Sequence, residues 1–375
     1  MAKLEFSSRK NYIWLNNCGV SVVPDCVLTE VKEFLQEYQV AGVLQKSHPP
    51  KVLYREITEI LAELFEVSPH EITLIHNTNE GFNFLSYGLD LPSGSTILLL
   101  EKEYPSNVYP WLIWEKKGVK VEYIRQSASP EEFLENLHKK LTSEVKVISI
   151  SAVDWITGMP YPLLEIGQIC RERDILFAVD AAQGAGHVPL KPRQMNISFM
   201  AFSAWKWLWG PLGLGGMYIS QDLLPKLTPV FMGTGSVVQD EIYLPYRNEL
   251  KPTAERYVTS TASLTDWVWF HTSLKLLREL SFPFVMHEIY RLATVLRTEL
   301  RKVGFTLSSD KFPNCMSGII SLKLSANEAE LAYRKLRENG IIAAVRESHL
   351  RFSVHLCNEN KDMEQIAALL RNILA

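Results

Sequence analysis

The chain has 375 residues, 47% apolar and 22% charged, with a net charge of −3. That length suits about two domains with ample buried surface, and the near-neutral balance implies no general polyanion partner such as nucleic acid. Five scattered cysteines, Cys18, Cys26, Cys170, Cys315 and Cys357, show no close pairing, which argues for a reducing, cytoplasmic setting and against a cysteine metal site or disulfide framework.

The N-terminal "MAKLEFSSRKNYIWLNN" lacks the continuous apolar core of a secretory signal. From there, apolar strands alternate with amphipathic helices. "EITLIHN", "STILLLE", "VKVEYIR", "VKVISISAV" and "ILFAVD" read as strands. "SNVYPWLIWEKKG", "SPEEFLENLHKKL" and "LLEIGQICRERD" read as the helices between them. In the second of these Ser129 is the expected N-cap, with Pro130 in the first turn and Glu132 completing a capping box. Short, almost wholly apolar strands alternating with helices predict an α/β fold with a mainly parallel sheet covered on both faces.

Near Leu264 the pattern changes. Two long helical stretches, 263–280 and 283–304, precede a strand "GIISLKL", a helix "NEAELAYRKLREN", two short strands within 341–356 and a last helix "DMEQIAALLRNIL". The expected division is a large domain over 17–265 and a small C-terminal α+β domain over 266–375, joined by residues 1–16. Ligands in such folds bind at the carboxyl ends of the parallel strands and at domain junctions.

The stretch "FMAFSAWKWLWGPLGLGGMYI", 199–219, carries one charge, Lys206, among Trp205, Trp207 and Trp209. Three readings compete. A membrane span would bear a central Lys at a cost of roughly 2.5–3.5 kcal/mol, and Pro211 with Gly210, Gly213, Gly215 and Gly216 suits turns better than one helix. A core Lys paired with a carboxylate is the second. In the third, desolvation weakens the amine's hold on its proton and leaves it free to form a Schiff base.

The residues past the strands decide among them. Thr78 and Asn79 follow "EITLIHN", where a helix start offers N–H groups and hydroxyls to a phosphate or makes an ordinary cap. Tyr104 follows "STILLLE" and could lie against a flat ligand or simply pack. Asp180 ends "ILFAVD", followed by Gln183; a carboxylate there either caps a helix or faces a cationic ring nitrogen. Together, an amine, a carboxylate, a phosphate cradle and a flat side chain meet the needs of pyridoxal 5′-phosphate (PLP). The glycines of "GPLGLGG" do not follow the first strand or open a helix, so a dinucleotide site is not expected.

From Tyr12 to the C-terminus the chain resembles the aminotransferase class V family, fold-type I PLP enzymes that include cysteine desulfurases, C–S lyases and isopenicillin N epimerase-like proteins. The motifs are "NTNEGFN", "EYPSNVYPW", "SAVDWITG", "VDAAQG" and "SAWKWLWGPLGLGGMYI". The resemblance implies that Lys206 forms the Schiff base and moves the Cα proton, and that Asp180 pairs with the ring nitrogen. Gln183 is implied at the ring hydroxyl, Tyr104 at the stacking position, and Thr78, Asn79 and Ser203 at the phosphate. It also implies Thr261 as a phosphate contact from a neighbouring subunit, hence a homodimer with shared sites. Arg351 matches the clamp on the substrate α-carboxylate, with Trp155 and Asn16 in the substrate pocket.

Three departures stand out. Trp205 occupies the position before the Schiff-base Lys, usually His, and an indole accepts no hydrogen bond. Trp155 stands where many members have Asn, although some C–S lyase-like members resemble this chain in having Trp. No Cys stands shortly upstream of Arg351: Cys315 is 36 residues before it and Cys357 follows it, against a persulfide-forming desulfurase. The expected function is a PLP enzyme acting on an α-amino acid, foremost a C–S β-lyase-like amino-acid lyase. The alternatives are an aminotransferase, an epimerase, or a PLP-fold scaffold that has lost catalysis. No metal and no membrane partner are expected.

Overall fold

The computed structural model describes residues 4–42, 47–314 and 316–374, so Cys315 lies outside the described residues. The chain begins with a short strand, β1 (Ile13–Trp14), and helices α1 (Asp25–Ala41) and α2 (Pro50–Phe65). There follow β2 (Ile72–Ile75), α3 (Thr78–Gly88), β3 (Thr96–Leu100), α4 (Tyr109–Leu112), β4 (Lys120–Ile124) and α5 (Pro130–His138). Next come β5 (Val145–Ser151), α6 (Leu163–Glu172), β6 (Leu176–Asp180), β7 (Phe199–Ser203) and β8 (Gly215–Ile219). The remainder holds α7 (Leu264–Leu280), α8 (Phe282–Lys302), β9 (Ile319–Lys323), α9 (Ala326–Glu338), β10 (Ile341–Ile342), β11 (Ala344–Arg346), β12 (His349–Ser353) and α10 (Asn360–Leu374).

Seven strands form one sheet in the order β2-β8-β7-β6-β5-β3-β4. Only β8 runs against its neighbours; the other pairings are parallel. The carboxyl ends of β2, β3, β5, β6 and β7 therefore share one edge of the sheet. Period-2 side chains split its core in two. Leu98, Ile148, Val179 and Phe202 pack on one face, and Ile97, Val147, Ala178 and Ala201 on the other. With both faces covered, the central strands are largely apolar, as in "TILLL" of β3 and "FMAFS" of β7.

The run 199–219 is not a helix. It folds as β7, a turn and antiparallel β8, with Lys206 in the turn. Among the described residues no helix is long and apolar enough to cross a membrane. The segment 106–118 also departs from expectation. Pro105 and Pro110 interrupt the backbone hydrogen bonding, so it forms 3-10 turns at Pro105–Asn107 and Ile113–Lys117 around the four-residue α4. At α5 the Ser129 hydroxyl accepts the Glu132 N–H at 3.3 Å as expected. The Glu132 carboxylate, however, takes the N–H of Ala128 rather than that of Ser129, so the capping box is not closed.

The C-terminal part builds an antiparallel sheet, β11-β12-β9, backed by α8 and α9, on which α10 packs. β11 and β12 are joined by Glu347–Ser348 alone, both at positive φ, the tight hairpin turn such a link demands. β1 pairs with β10, and Asn16 bridges to Ser353, which binds the N-terminal segment to this sheet. α7 packs on α1 and α2.

Candidate active site

The sheet edge that gathers the strand ends opens into a cavity of about 410 Å³. Ten of the twelve residues singled out in the sequence line it: Asn16, Thr78, Tyr104, Trp155, Asp180, Gln183, Ser203, Trp205, Lys206 and Arg351. Asn79 and Thr261 do not. Asn79 Nδ2 donates to the Ser106 carbonyl at 3.1 Å. Thr261 lines a different cavity, with His76, Glu80 and Asp266.

Asp180 closes β6, and β7 beside it leads into the turn that carries Lys206. Asp180 is buried, and its Oδ1 accepts the Ala182 N–H at 2.8 Å. Burial raises its carboxyl above the usual range, against the pull of Lys206. Lys206 feels the reverse. Desolvation lowers its amine below the usual lysine range, and Arg351 adds to this while Asp180 opposes it. The Nζ lies 5.6 Å from the centre of the Tyr104 ring. The Lys206 carbonyl accepts the Ser21 hydroxyl, and the Trp205 carbonyl accepts the Ser21 N–H at 2.9 Å, so the N-terminal segment pins this turn.

Thr78 is the first residue of α3, whose N-cap is Asn77; the Asn77 side chain accepts the Glu80 N–H at 3.0 Å. Gly81 brings this helix end onto the sheet: a Cβ there would meet Ala201 Cβ and Ile75 Cδ1 at 2.9 Å. The Thr78 and Ser203 hydroxyls stand 2.8 Å apart. One donates to the other, which leaves a hydroxyl hydrogen and unused N–H groups at a positive helix end, a setting for an anion.

Tyr104 follows Glu103, a residue the sequence did not single out. Glu103 is buried, and its carboxylate accepts the Tyr104 N–H at 2.7 Å, the Ser151 N–H at 2.7 Å and the Ser151 hydroxyl. Burial foremost, with Asp180 nearby, pushes its carboxyl up to about 8. It ties the β3 end to β5 and sets the backbone that carries the Tyr104 ring. Trp155 lines the cavity beside it, edge-on to Tyr104 at 5.4 Å and 77°, its Nε1 donating to the Lys102 carbonyl at 2.9 Å.

Arg351 reaches the cavity from the middle of β12, paired with Ser321 and Ala344 on either side. It is only 3% exposed. One Nη donates to the Trp155 carbonyl, and Nε has no partner. A buried guanidinium with an unused donor is costly unless an anion completes it. Asn16 Oδ1 is a second buried polar atom without a partner. Cys18 and Arg346 also line the cavity and were not foreseen. Among the described residues no group of three or more His, Cys, Asp or Glu is placed to hold a metal.

These residues fit PLP: a desolvated amine, a buried carboxylate, an anion cradle of two hydroxyls and a helix end, an aromatic face, and a guanidinium in want of an anion. The comparisons agree with that chemistry. The aminotransferase class-V family model matches residues 13–365. A probable cysteine desulfurase of Pyrococcus abyssi is 23% identical over 96% of this chain and 94% of its own length. A solved complex of the cystine C–S lyase C-DES with cysteine persulfide superposes with a TM-score of 0.88 at 22% identity, covering 98% of this chain and all of its own (100%). The apo cysteine desulfurase of Thermococcus onnurineus NA1 gives 0.86 at 20% identity, covering 100% and 99%. The chain belongs to the aminotransferase class-V family and is a PLP-dependent enzyme of fold type I.

Proposed function

We propose that this enzyme acts on an α-amino acid through Lys206 and cleaves a C–S bond at the β-carbon. The observation that carries the reading is one cavity holding a desolvated Lys206, the buried Asp180 and the under-coordinated Arg351. When bound, PLP supplies the aldehyde and the electron-withdrawing ring that accepts charge from a deprotonated Cα. Lys206 would hold the cofactor through its amine, and the same amine would be the base for the Cα proton. Asp180 holds the proton at the ring nitrogen. Thr78, Ser203 and the α3 N-terminus, with the backbone N–H of Asn79 rather than its amide, would bind the phosphate, Trp205 would border it, and Tyr104 would cover one ring face. Gln183 meets the ring hydroxyl. Arg351 takes the substrate carboxylate, with Trp155 and Asn16 around the side chain.

The lyase reading draws support from two sources. The β11–β12 turn consists of Glu347 and Ser348 and itself carries no thiol. The chain is also similar to a cystine C–S lyase. Thr261 stands away from Lys206 in its own cavity, which suits a residue that completes the site of a second copy, so we also propose a homodimer. Because α7 packs on α1 and α2, we propose that the large domain extends through α7. The small domain then begins at Ser281, a helix later than residue 265, and includes residues 1–16. The test is product analysis of the purified holoenzyme with cystine and S-substituted cysteines. Pyruvate and ammonia with a released thiol or persulfide are expected. Amino transfer to a keto acid with no pyruvate would overturn the lyase reading.

A further inference from the structure

Gln183 sits in the cavity wall with its amide held from two sides. Trp207 Nε1 donates to Gln183 Oε1 at 3.0 Å. Gln183 Nε2 donates to the Cys18 carbonyl at 2.9 Å. An indole N–H only donates and a backbone carbonyl only accepts. Both contacts therefore demand the same amide orientation. A flipped amide would set donor against donor at Trp207 and acceptor against acceptor at Cys18. One N–H of Nε2 remains, and Gln183 shares the cavity with Asp180 and Lys206.

Trp207 is itself immobile. It is fully buried, and its ring stacks on His187 with centroids 3.8 Å apart and planes 10° from parallel. His187 Nδ1 donates to the Gln183 carbonyl at 2.7 Å, and its Nε2 accepts the Gly318 N–H. His355 Nε2 donates to the Trp207 carbonyl at 3.2 Å. Gly318 lies against the indole edge: a Cβ there would stand 3.3 Å from Trp207 Cη2 and 2.4 Å from Ile289 Cγ2. The C-terminal sheet thus clamps the indole that orients Gln183.

We propose that Trp207 is the positioning residue that makes Gln183 a hydrogen-bond donor, never an acceptor, toward the ring oxygen beside the cofactor aldehyde. The inference rests on the proposed roles of Lys206 and Gln183. A donor on that oxygen stabilises its negative charge. The nitrogen that Lys206 contributes next to it then holds its proton less tightly.

The experiment is a pH titration of the visible band of the holoenzyme, with PLP dissociation constants measured on apoenzyme. Trp207→Phe keeps an aromatic ring on His187 and removes the donor. The band midpoint should rise by roughly one pH unit, the size expected when a hydrogen bond to a charged oxygen is lost. Gln183→Ala should raise it similarly, and the double variant should show no further rise, because one residue acts through the other. Benzothienylalanine at position 207 keeps the two-ring shape without the N–H, and decides alone if the Phe variant does not fold. A normal band with an unchanged midpoint, or additive shifts in the double variant, would overturn the inference alone. Absence of any visible band in the wild-type protein supplied with PLP would overturn the cofactor roles of Lys206 and Gln183, and the inference with them.

Discussion

Asp180 at the end of β6 and Lys206 in the turn after the neighbouring parallel strand β7 face one cavity, and burial pushes their proton affinities toward each other, the carboxyl up and the amine down. Neither shift serves the stability of the empty protein, since both charged forms are disfavoured by desolvation. In the proposed site, a cofactor offering an aldehyde to the amine and a ring nitrogen to the carboxylate would use both. Asp180→Asn should therefore keep the apoenzyme at least as stable as wild type while lowering kcat by at least about a hundredfold, as general acid–base and electrostatic groups do. Thermal melting and steady-state rates check the two halves. A melting point many degrees lower would make Asp180 a structural group.

Arg351 has an unpartnered Nε although it is almost fully buried. Arg351→Lys should raise KM roughly tenfold or more by losing the forked donor pair. The visible spectrum and PLP affinity should stay as in wild type. Unchanged KM for amino-acid substrates would remove Arg351 from carboxylate binding.

The paired hydroxyls of Thr78 and Ser203 lie at the α3 N-terminus. Each single alanine variant should weaken PLP binding by roughly ten- to a hundredfold, the range of one hydrogen bond to a charged group. The double variant should fall short of the product, because each hydroxyl orients the other. Equilibrium titration of apoenzyme with PLP reads this directly.

His187 and His355 are buried and neutral, with burial pulling them down to about 3 and about 4. The unfolded chain binds protons at both near pH 6.5, while the native protein does not. Their contribution to stability is thus full above pH 6.5 and is lost as pH falls from there, toward about 4 for His355 and about 3 for His187. His355→Gln should flatten the slope of unfolding free energy against pH in that window by about one proton. Denaturant melts at several pH values check it, and an unchanged slope would mean that His355 titrates alike in both states.

Much of this was legible in the sequence. Apolar runs such as "TILLL" and "LFAVD" can be buried only in a covered parallel sheet, and the groups just past them reach its edge. That logic gathers Thr78, Tyr104, Asp180 and Lys206 into one cavity. It fails where proline overrides a helical pattern, as at Pro105 and Pro110. It also misses groups whose meaning depends on distant partners. Glu103 resembles a solvated carboxylate until Ser151, 48 residues on, is seen to donate to it twice. Trp207 looks like core packing until its N–H is found on Gln183. Asn79 sits beside Thr78 in sequence, yet the helical turn directs its amide to Ser106 instead of the cavity.

The most direct test of the central claim is peptide mapping by mass spectrometry after borohydride reduction of the holoenzyme. Reduction fixes the C=N bond between the cofactor and its lysine. The account predicts a phosphopyridoxyl adduct on the peptide carrying Lys206, and none on that peptide in Lys206→Ala. An adduct confined to another lysine, or no adduct after incubation with PLP, would contradict it.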